Sequence, residues 1–305
     1  MAHIPDGFLS PTVIAGTATL SAVAVAIAAR RSGRKLRDRQ APALGAVTAF
    51  VFAAQMLNFP LGAGASAHLL GGVLVAVIAG PSAAILALFA VLLVQALLFQ
   101  DGGIAALGAN TLNLAVLGAG GGYLVYRWQM ALTGAGHRRR LAAAGVAAFV
   151  SALATGLAVG VQLALSGMVP LRSALLAVGG AHVLVGAAEA VLTVGILGAV
   201  LRARPDLVRE AGRPRSGDRA AVVVATAAVA VAGIAVAWGT DRPDALESAL
   251  EALGPGVAAA PRLAPMAHYD VPVDNQWVAA LVGVVAVFGV GWALFRLAAR
   301  SQRAA

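Results

Sequence analysis

Nine apolar runs, separated by short polar segments, dominate the hydropathy pattern of this chain. Most of them approach the length of about 20 residues that a helix needs to cross the hydrocarbon core of a bilayer. They are rich in Ala and Gly, which allow helices to pack closely in lipid. The pattern therefore predicts an all-α polytopic membrane protein. The runs cover residues 11–29, 41–59, 68–80, 82–99, 108–126, 141–165, 176–201, 220–238 and 276–296.

The run 68–80 differs from the others because it is too short to cross about 30 Å of hydrocarbon unaided. It follows the Gly- and Pro-rich segment NFPLGAGASA. Irregular backbone is tolerated at membrane depth only where it is buried in protein or lines a cavity. This combination fits either a binding site or an ordinary short, tilted helix, and the pattern leaves both open.

The composition excludes several classes of protein. Hydrophobic residues make up 60% of the 305 residues and charged residues only 11%, whereas about a quarter of a typical soluble domain is charged. A disordered chain is excluded and a soluble enzyme is disfavoured. The chain has no cysteine, so a disulfide scaffold or a thiolate metal site is excluded as well.

The net charge of +9 would suit a nucleic-acid partner, but its placement indicates a membrane protein instead. Nineteen of the 22 Lys and Arg residues lie in four clusters between apolar runs, at 30–39, 127–140, 202–219 and 296–303. Cytoplasmic loops carry such an excess of positive charge. We therefore expect no nucleic acid, a multi-pass protein of the cell membrane in contact with the lipid bilayer, an outside N-terminus and a cytoplasmic C-terminus. The N-terminal MAHIPDGFLSP lacks a basic region, so we do not expect a signal peptide.

Two histidines are the strongest candidates for chemistry. His3 lies beside the chain start, where an amine, a backbone amide and an imidazole can bind one ion. All-nitrogen ligand sets suit Ni(II) or Cu(II), although an early histidine also occurs by accident in many proteins. We expect His68 to open the short helix on the same outer side as His3, so that both can share one ion.

A second pair lies in the seventh apolar run. His182 and Glu189 are seven residues apart and therefore share one helix face. A glutamate inside a membrane is costly and is by default a functional candidate. A structural pair and a second-shell or ion-pathway role remain equally open. His137 lies in a basic cluster and His268 on an outer arm, and both are weaker candidates.

The sequence contains no motif that would support catalysis or ATP hydrolysis by this chain. HExxH, GxxxxGK[ST] and GxSxG are all missing from it. We therefore expect no enzymatic activity. If the chain serves an ATP-driven transporter, another subunit must supply the ATPase.

Four segments resemble the hallmark segments of the CbiM/NikM family, the substrate-binding membrane components of cobalt and nickel energy-coupling factor transporters. They are MAHIPDGFLSP, MLNFPLGAGASAHLLGG, QDGGIAALGANTLNLAVLG and HVLVGAAEAVLT. This resemblance covers residues 1–205. Residues 206–305 are similar to the two-helix N component that carries a PDGLE-type motif, here PDALE. The resemblance implies a seven-helix M bundle fused to a two-helix N module.

The resemblance also implies a square-planar nitrogen site, in which His3 is the chelating histidine and His68 the distant one. Family members commonly begin Met-His, whereas this chain begins Met-Ala-His. If Met1 is removed, the Ala2 amine joins the His3 amide, the His3 imidazole and His68. If Met1 stays, the amine of Met1, the Ala2 and His3 amides and the His3 imidazole already fill the square, and His68 becomes axial or redundant. We favour removal of Met1.

From the resemblance we expect Ni²⁺ or Co²⁺ as the transported ion, and a transmembrane T component with ATPase subunits as partners. A vitamin-binding component of the same transporter class and a structural subunit without substrate are the alternatives. Asp6 and Asp101 are expected near an outer mouth, where they would attract cations. Residues 243–253 are expected to form a short helix on the outer surface. The residues expected to support the metal ligands are Asn58, Ser66, Asn110, Asn113, His182 and Glu189, and of the first four we favour Asn58 and Ser66.

Overall fold

Helices occupy all nine predicted apolar runs, which confirms the all-α membrane fold. A computed structural model of the chain describes residues 3–34, 40–62, 65–134, 136–203, 218–240, 242, 246–249, 264–266 and 276–301. Six helices of this part are long and apolar enough to cross a membrane. The chain is thus a multi-pass membrane protein, while the orientation of its termini stays a prediction.

The helices are numbered here in chain order. The fifth is continuous through three parts, and the fourth and seventh also contain π-helical turns. The bounds are α1 Pro11–Gly33, α2 Ala41–Met56, α3 Gly72–Ala79, α4 Pro81–Val94 with the π turn Gln95–Phe99, α5 Leu107–Asn110 with Thr111–Gly121 (π-helical) and Gly122–Thr133, α6 His137–Leu165, α7 Leu171–Ala203 with the π turn Leu175–Gly179, α8 Asp218–Trp238 and α9 Gln276–Ser301.

The segment before α3 is not helical, which corrects the expectation that His68 opens the short helix. Strands β1 (Phe59–Gly62) and β2 (Ala65–Ala67) pair antiparallel as a hairpin. His68 follows β2 in an extended segment, and α3 begins only at Gly72. The helix cannot extend backwards because Gly71 adopts a left-handed conformation with φ of 73°, a region that favours glycine.

The last two helices pack on the same core as the first seven. Both α8 and α9 lie against α2. On α9, Gly283 faces Phe52 and Gly291 faces Thr48, so the absence of a side chain lets the helices approach closely. The predicted boundary at residues 205/206 lies outside the described residues and stays a prediction.

The described part of the predicted short helix packs one of its faces inward. Residues 246–249 are helical, and Leu246 is only 2% exposed. Its side chain belongs to an apolar cluster with Ile4, Leu9 and Val159. Because the neighbouring Glu247 is exposed, the burial of Leu246 is compatible with a helix at the surface, and its place on the outer side stays a prediction. Residues 243–245 and 250–253, the rest of that prediction, lie outside the described residues.

We expect Gly283→Ala to destabilise the fold and Gly289→Ala to leave it unharmed. A Cβ at Gly283 would overlap the Phe52 ring, whereas a Cβ at Gly289 meets nothing within 4 Å. Overpacking typically lowers the free energy of unfolding by about 1–3 kcal/mol. Both substitutions replace a helical Gly by Ala and gain the same helix propensity, so the difference between the two variants reports the packing alone. Thermal unfolding of the purified protein in detergent measures the difference. Equal unfolding temperatures for the two variants would contradict the packing of α9 on α2.

Candidate metal site

His3 and His68 lie side by side inside the bundle. His3 comes from the N-terminal segment before α1, and His68 comes from the extended segment between β2 and α3. Their ring centroids are 5.8 Å apart and the ring planes are inclined by 48°. His3 is 4% exposed and His68 is 3% exposed. The two imidazoles therefore meet in a space that is shielded from solvent.

Both imidazoles present Nε2 as the free nitrogen. Nδ1 of His3 donates to Oδ1 of Asp101 at 2.8 Å, and Nδ1 of His68 donates to the Leu69 carbonyl at 3.0 Å. A neutral imidazole that carries its proton on Nδ1 has its lone pair on Nε2. Both Nε2 atoms are buried and have no hydrogen-bond partner among the described residues. Because buried polar atoms are rarely left unpaired, these two nitrogens indicate a ligand site.

The spacing of the two rings suits one metal ion between them. Imidazole nitrogen binds an ion such as Zn²⁺ at about 2.0 Å, which places the ion roughly 3.2 Å from the ring centre. An ion on the straight line between two such rings would need ring centres about 6.4 Å apart. The centroids are 5.8 Å apart, so one ion can bind both rings if the angle at the ion is less than 180°. No group of three His, Asp or Glu side chains that could hold a metal occurs in the described part of the chain. Met1 and Ala2 lie outside the described residues.

The environment of His68 disfavours a charged ring. The residue is 3% exposed, and its Nε2 has no hydrogen-bond partner among the described residues, so a second proton would place an unpaired charge in a buried space, which is costly. Neutral imidazole is the form that coordinates metal ions, because a bound proton blocks the lone pair.

Asn110 holds the peptide groups next to His3. Its Oδ1 accepts from the Ile4 amide at 2.8 Å, and its Nδ2 donates to the Ile4 carbonyl at 3.1 Å. The Gly103 amide also donates to that carbonyl, at 2.9 Å. Ile4 itself is fully buried. Of the four polar residues considered from the sequence, Asn110 is thus the one bound beside His3.

Both aspartates that were expected near an outer mouth accept hydrogen bonds from protein groups. The Asp6 carboxylate accepts from the amides of Ile104, Ala105 and Ala106 at 2.8–3.2 Å. These amides precede α5 and would otherwise lack partners, as is usual near helix starts. Asp101 is buried against His3, and its side chain is 7% exposed. Both carboxylates thus bind protein groups, and an attraction of cations by Asp6 and Asp101 near an outer mouth stays a prediction.

Glu189 holds the segment that carries His68. Its two carboxylate oxygens accept from the amides of Leu70 and Gly71 at 2.8 and 2.9 Å. From the other side, Nε2 of Gln55 donates to the Leu70 carbonyl at 3.0 Å. Helices α2 and α7 thus fix the backbone just after His68. Glu189 thus binds the segment after His68 and is not paired with His182, which binds the Val178 carbonyl.

His182 does not share the contacts of Glu189, although both lie on α7. Its Nδ1 donates to the Val178 carbonyl one turn back, at 2.8 Å. A Cβ on Gly156 of α6 would overlap the His182 ring. The histidine therefore fills the close contact between α6 and α7.

Asn113, Ser66 and Asn58 bind partners away from the two imidazoles. The Asn113 amide pairs reciprocally with the Gln162 amide at 2.9 and 2.7 Å, which joins α5 to α6. Ser66 Oγ donates to the Arg242 carbonyl at 2.9 Å. The backbone carbonyl of Asn58 accepts from the Thr240 amide at 3.1 Å, while its side-chain Oδ1 is buried without a hydrogen-bond partner among the described residues. Ser66 and Asn58 thus contact the segment that follows α8.

Gln55 and Gln95 are two functional candidates that the sequence analysis missed. Both are completely buried, and Nε2 of Gln95 donates to Oε1 of Gln55 at 3.1 Å and to Oδ2 of Asp101 at 3.4 Å. The sequence feature that could have revealed them is that each is an amide side chain within a long apolar run. Such polar groups in transmembrane helices hydrogen-bond across helices, but their partners cannot be read from spacing alone.

Comparisons with known proteins give consistent matches. Residues 3–207 match the CbiM family, described as the cobalt uptake substrate-specific transmembrane region. A fused nickel transport protein, NikMN, from Archaeoglobus fulgidus is 35% identical and covers 97% of this chain and 99% of its own. A cobalt transport protein, CbiM, from Geobacter sulfurreducens is 29% identical over 95% of this chain and 88% of its own. A crystal structure of a transition metal transporter is 32% identical with a TM-score of 0.58, covering 68% of this chain and 95% of its own.

We expect Glu189→Gln to loosen the segment after His68. The amide retains one acceptor oxygen but turns an NH₂ group toward a backbone N–H, so one of the two bonds to Leu70 and Gly71 is lost. Hydrogen–deuterium exchange of a peptide that covers residues 65–74 should accelerate. Thr193→Val is the matched control, because the buried Thr193 hydroxyl on the same helix has no partner among the described residues. Equal exchange in both variants would contradict the role of Glu189.

Proposed function

Because the chain belongs to the CbiM family of cobalt-uptake membrane components, we propose that it captures Ni²⁺ or Co²⁺ at the membrane and delivers the ion inward. The family is a transporter component, so the chain is not an enzyme. The observation that carries the proposal is the pair of buried Nε2 atoms of His3 and His68, which have no hydrogen-bond partner among the described residues. Imidazole nitrogen is a good ligand for both ions.

The proposed ligands are the N-terminal amine, the His3 imidazole and the His68 imidazole. The His3 backbone amide is a fourth candidate, which the family resemblance supplies. An ion bound to the amide of a histidine reaches Nδ1 of the same residue most readily, because that closes the smaller ring. In the structure, Asp101 holds this Nδ1. The amide can join the ligand set only if the His3 ring turns away from Asp101.

The energy for uptake comes, in this proposal, from a separate transmembrane T component and ATPase subunits. Their involvement follows from the resemblance to energy-coupling factor transporters. The fused arrangement is supported by the nearly full-length match to a fused nickel transport protein. The same match favours Ni²⁺ over Co²⁺ as the substrate.

The segment between α8 and α9 is proposed to assist metal loading or release. The Thr240 amide and the Arg242 carbonyl bind the β-hairpin that precedes His68, at Asn58 and Ser66. The Met266 amide donates to the Leu98 carbonyl at 2.9 Å, three residues before Asp101. This segment thus touches the chain region that carries His68 and the region of Asp101, which binds His3, and a movement in it would reach both.

Alanine at His3 or His68 should abolish tight one-to-one binding of Ni²⁺ or Co²⁺. Loss of a ligand removes a metal–nitrogen bond, so the effect should exceed the roughly 10–100-fold loss typical of an outer-shell partner. Isothermal titration of the purified full chain with each ion measures it. His137→Ala is the control, because His137 is exposed. Unchanged binding in both site variants would place the ion at another site, and failure of the wild type to bind either ion would favour a structural subunit without a metal site.

The mature chain should begin at Ala2. A small second residue favours removal of the initiator, and the freed Ala2 amine then matches the family's metal site. Intact-mass measurement of the purified protein should show a chain without Met1. A retained Met1, together with metal binding that survives His68→Ala, would instead indicate a chelate made by the N-terminal residues alone.

A further inference from the structure

A buried chain of side chains joins the two histidines by a route that does not pass through the space between them. We propose that Asp101 is a positioning residue for His3, and that Gln95 and Gln55 tie it to the segment that carries His68. The inference rests on the proposed metal site. It assigns to Asp101 a role in aiming one ligand, and it makes the position of each histidine depend on the other.

The contacts form a continuous series. Asp101 Oδ1 accepts from Nδ1 of His3 at 2.8 Å, and its Oδ2 accepts from Nε2 of Gln95 at 3.4 Å. The same Nε2 donates to Oε1 of Gln55 at 3.1 Å. Nε2 of Gln55 then donates to the Leu70 carbonyl at 3.0 Å, two residues after His68. Gln55 and Gln95 are fully buried, so water does not compete for these bonds.

The backbone around Asp101 is shaped to bring this carboxylate inward. Gln95 begins the π turn Gln95–Phe99 at the end of α4, and its carbonyl accepts from the Asp101 amide at 3.1 Å. Gln100, between them, has φ of 53° and is the one described non-glycine residue with a positive φ. Such π turns and unusual conformations concentrate at functional sites. Gln95 thus binds Asp101 through both its backbone and its side chain.

Asp101 can serve the metal in two ways. A carboxylate that accepts from one ring nitrogen of a histidine fixes the tautomer and raises the basicity of the other nitrogen. Here that other nitrogen is Nε2 of His3, which is buried and lacks a partner among the described residues. The carboxylate charge also offsets part of the charge of a divalent ion, whose burial is costly without compensation.

The direction in which the metal affinity changes on removal of Asp101 distinguishes support of the ligand from competition with the ion. If His3 binds the ion through Nε2, Asp101 supports the ligand and its removal weakens binding. If His3 instead binds through Nδ1 together with its own amide, the ion and Asp101 compete for one nitrogen. Removal of Asp101 would then tighten binding.

The experiment uses the full chain in detergent and Ni²⁺ alone as the probe. Affinity is measured by titration, the ligand field by the visible absorption of the Ni²⁺ complex, and stability by thermal unfolding without metal. The variants are Asp101→Ala, Asp101→Asn, which keeps an acceptor oxygen for the His3 ring, and Gln95→Met. Gln162→Met is the matched control, because it breaks another buried amide–amide pair, with Asn113.

We expect Asp101→Ala to weaken Ni²⁺ binding by about 10–100-fold and to shift the absorption bands. Asp101→Asn should bind Ni²⁺ more tightly than Asp101→Ala but less tightly than the wild type. Gln95→Met should lose less Ni²⁺ affinity than Asp101→Ala does. Gln162→Met should leave the affinity and spectrum unchanged, even if its unfolding temperature falls.

Unchanged affinity and spectrum in Asp101→Ala, or tighter binding, would overturn the inference. The same holds if Gln162→Met weakens binding as much as Gln95→Met does. These results leave the proposed function standing as long as the wild type binds Ni²⁺ and His68→Ala does not. Failure of the wild type to bind either Ni²⁺ or Co²⁺ would overturn the proposed function, and the inference with it.

Discussion

The hydrogen bonds between Asn110 and both peptide groups of Ile4 hold the beginning of the chain inside the bundle. An unsatisfied backbone group in a membrane interior costs several kcal/mol, so this segment can stay buried only while its amides and carbonyls are paired. The position of His3 follows directly from that pairing. The cap that Asp6 forms on residues 104–106 fixes the next turn of the same segment.

The backbone at His68 is held in a similar way. Residues 68–71 are neither helix nor strand. Glu189 accepts from the amides of Leu70 and Gly71, and Gln55 donates to the Leu70 carbonyl. Both histidines thus lie on irregular backbone that polar side chains of apolar helices keep in place. Such backbone is tolerated in a membrane protein where it lines a binding site. The two imidazoles are therefore held in place, and their Nε2 atoms are buried without a hydrogen-bond partner among the described residues.

Much of the fold followed from hydropathy because long apolar runs have few alternatives to helices in lipid. The role of His3 and His68 as a pair rested on their proximity to the chain start and to a Gly-rich segment. The hairpin before His68 was missed because its Gly and Pro residues hide the alternation of a strand. Gln55, Gln95 and Asp101 were missed as a group because they are far apart in sequence, and only the packing of α2 against α4 joins them. Glu189 was recognised as unusual, but its partners, two backbone amides, carry no sequence signal.

In the proposed function, imidazole nitrogens from two separate segments of one buried site hold the ion. X-ray absorption spectroscopy at the nickel edge of the Ni²⁺-loaded full chain tests this claim most directly. We predict that nitrogen atoms surround the nickel, with the more distant scattering that imidazole rings produce. Oxygen neighbours without imidazole scattering would contradict the claim.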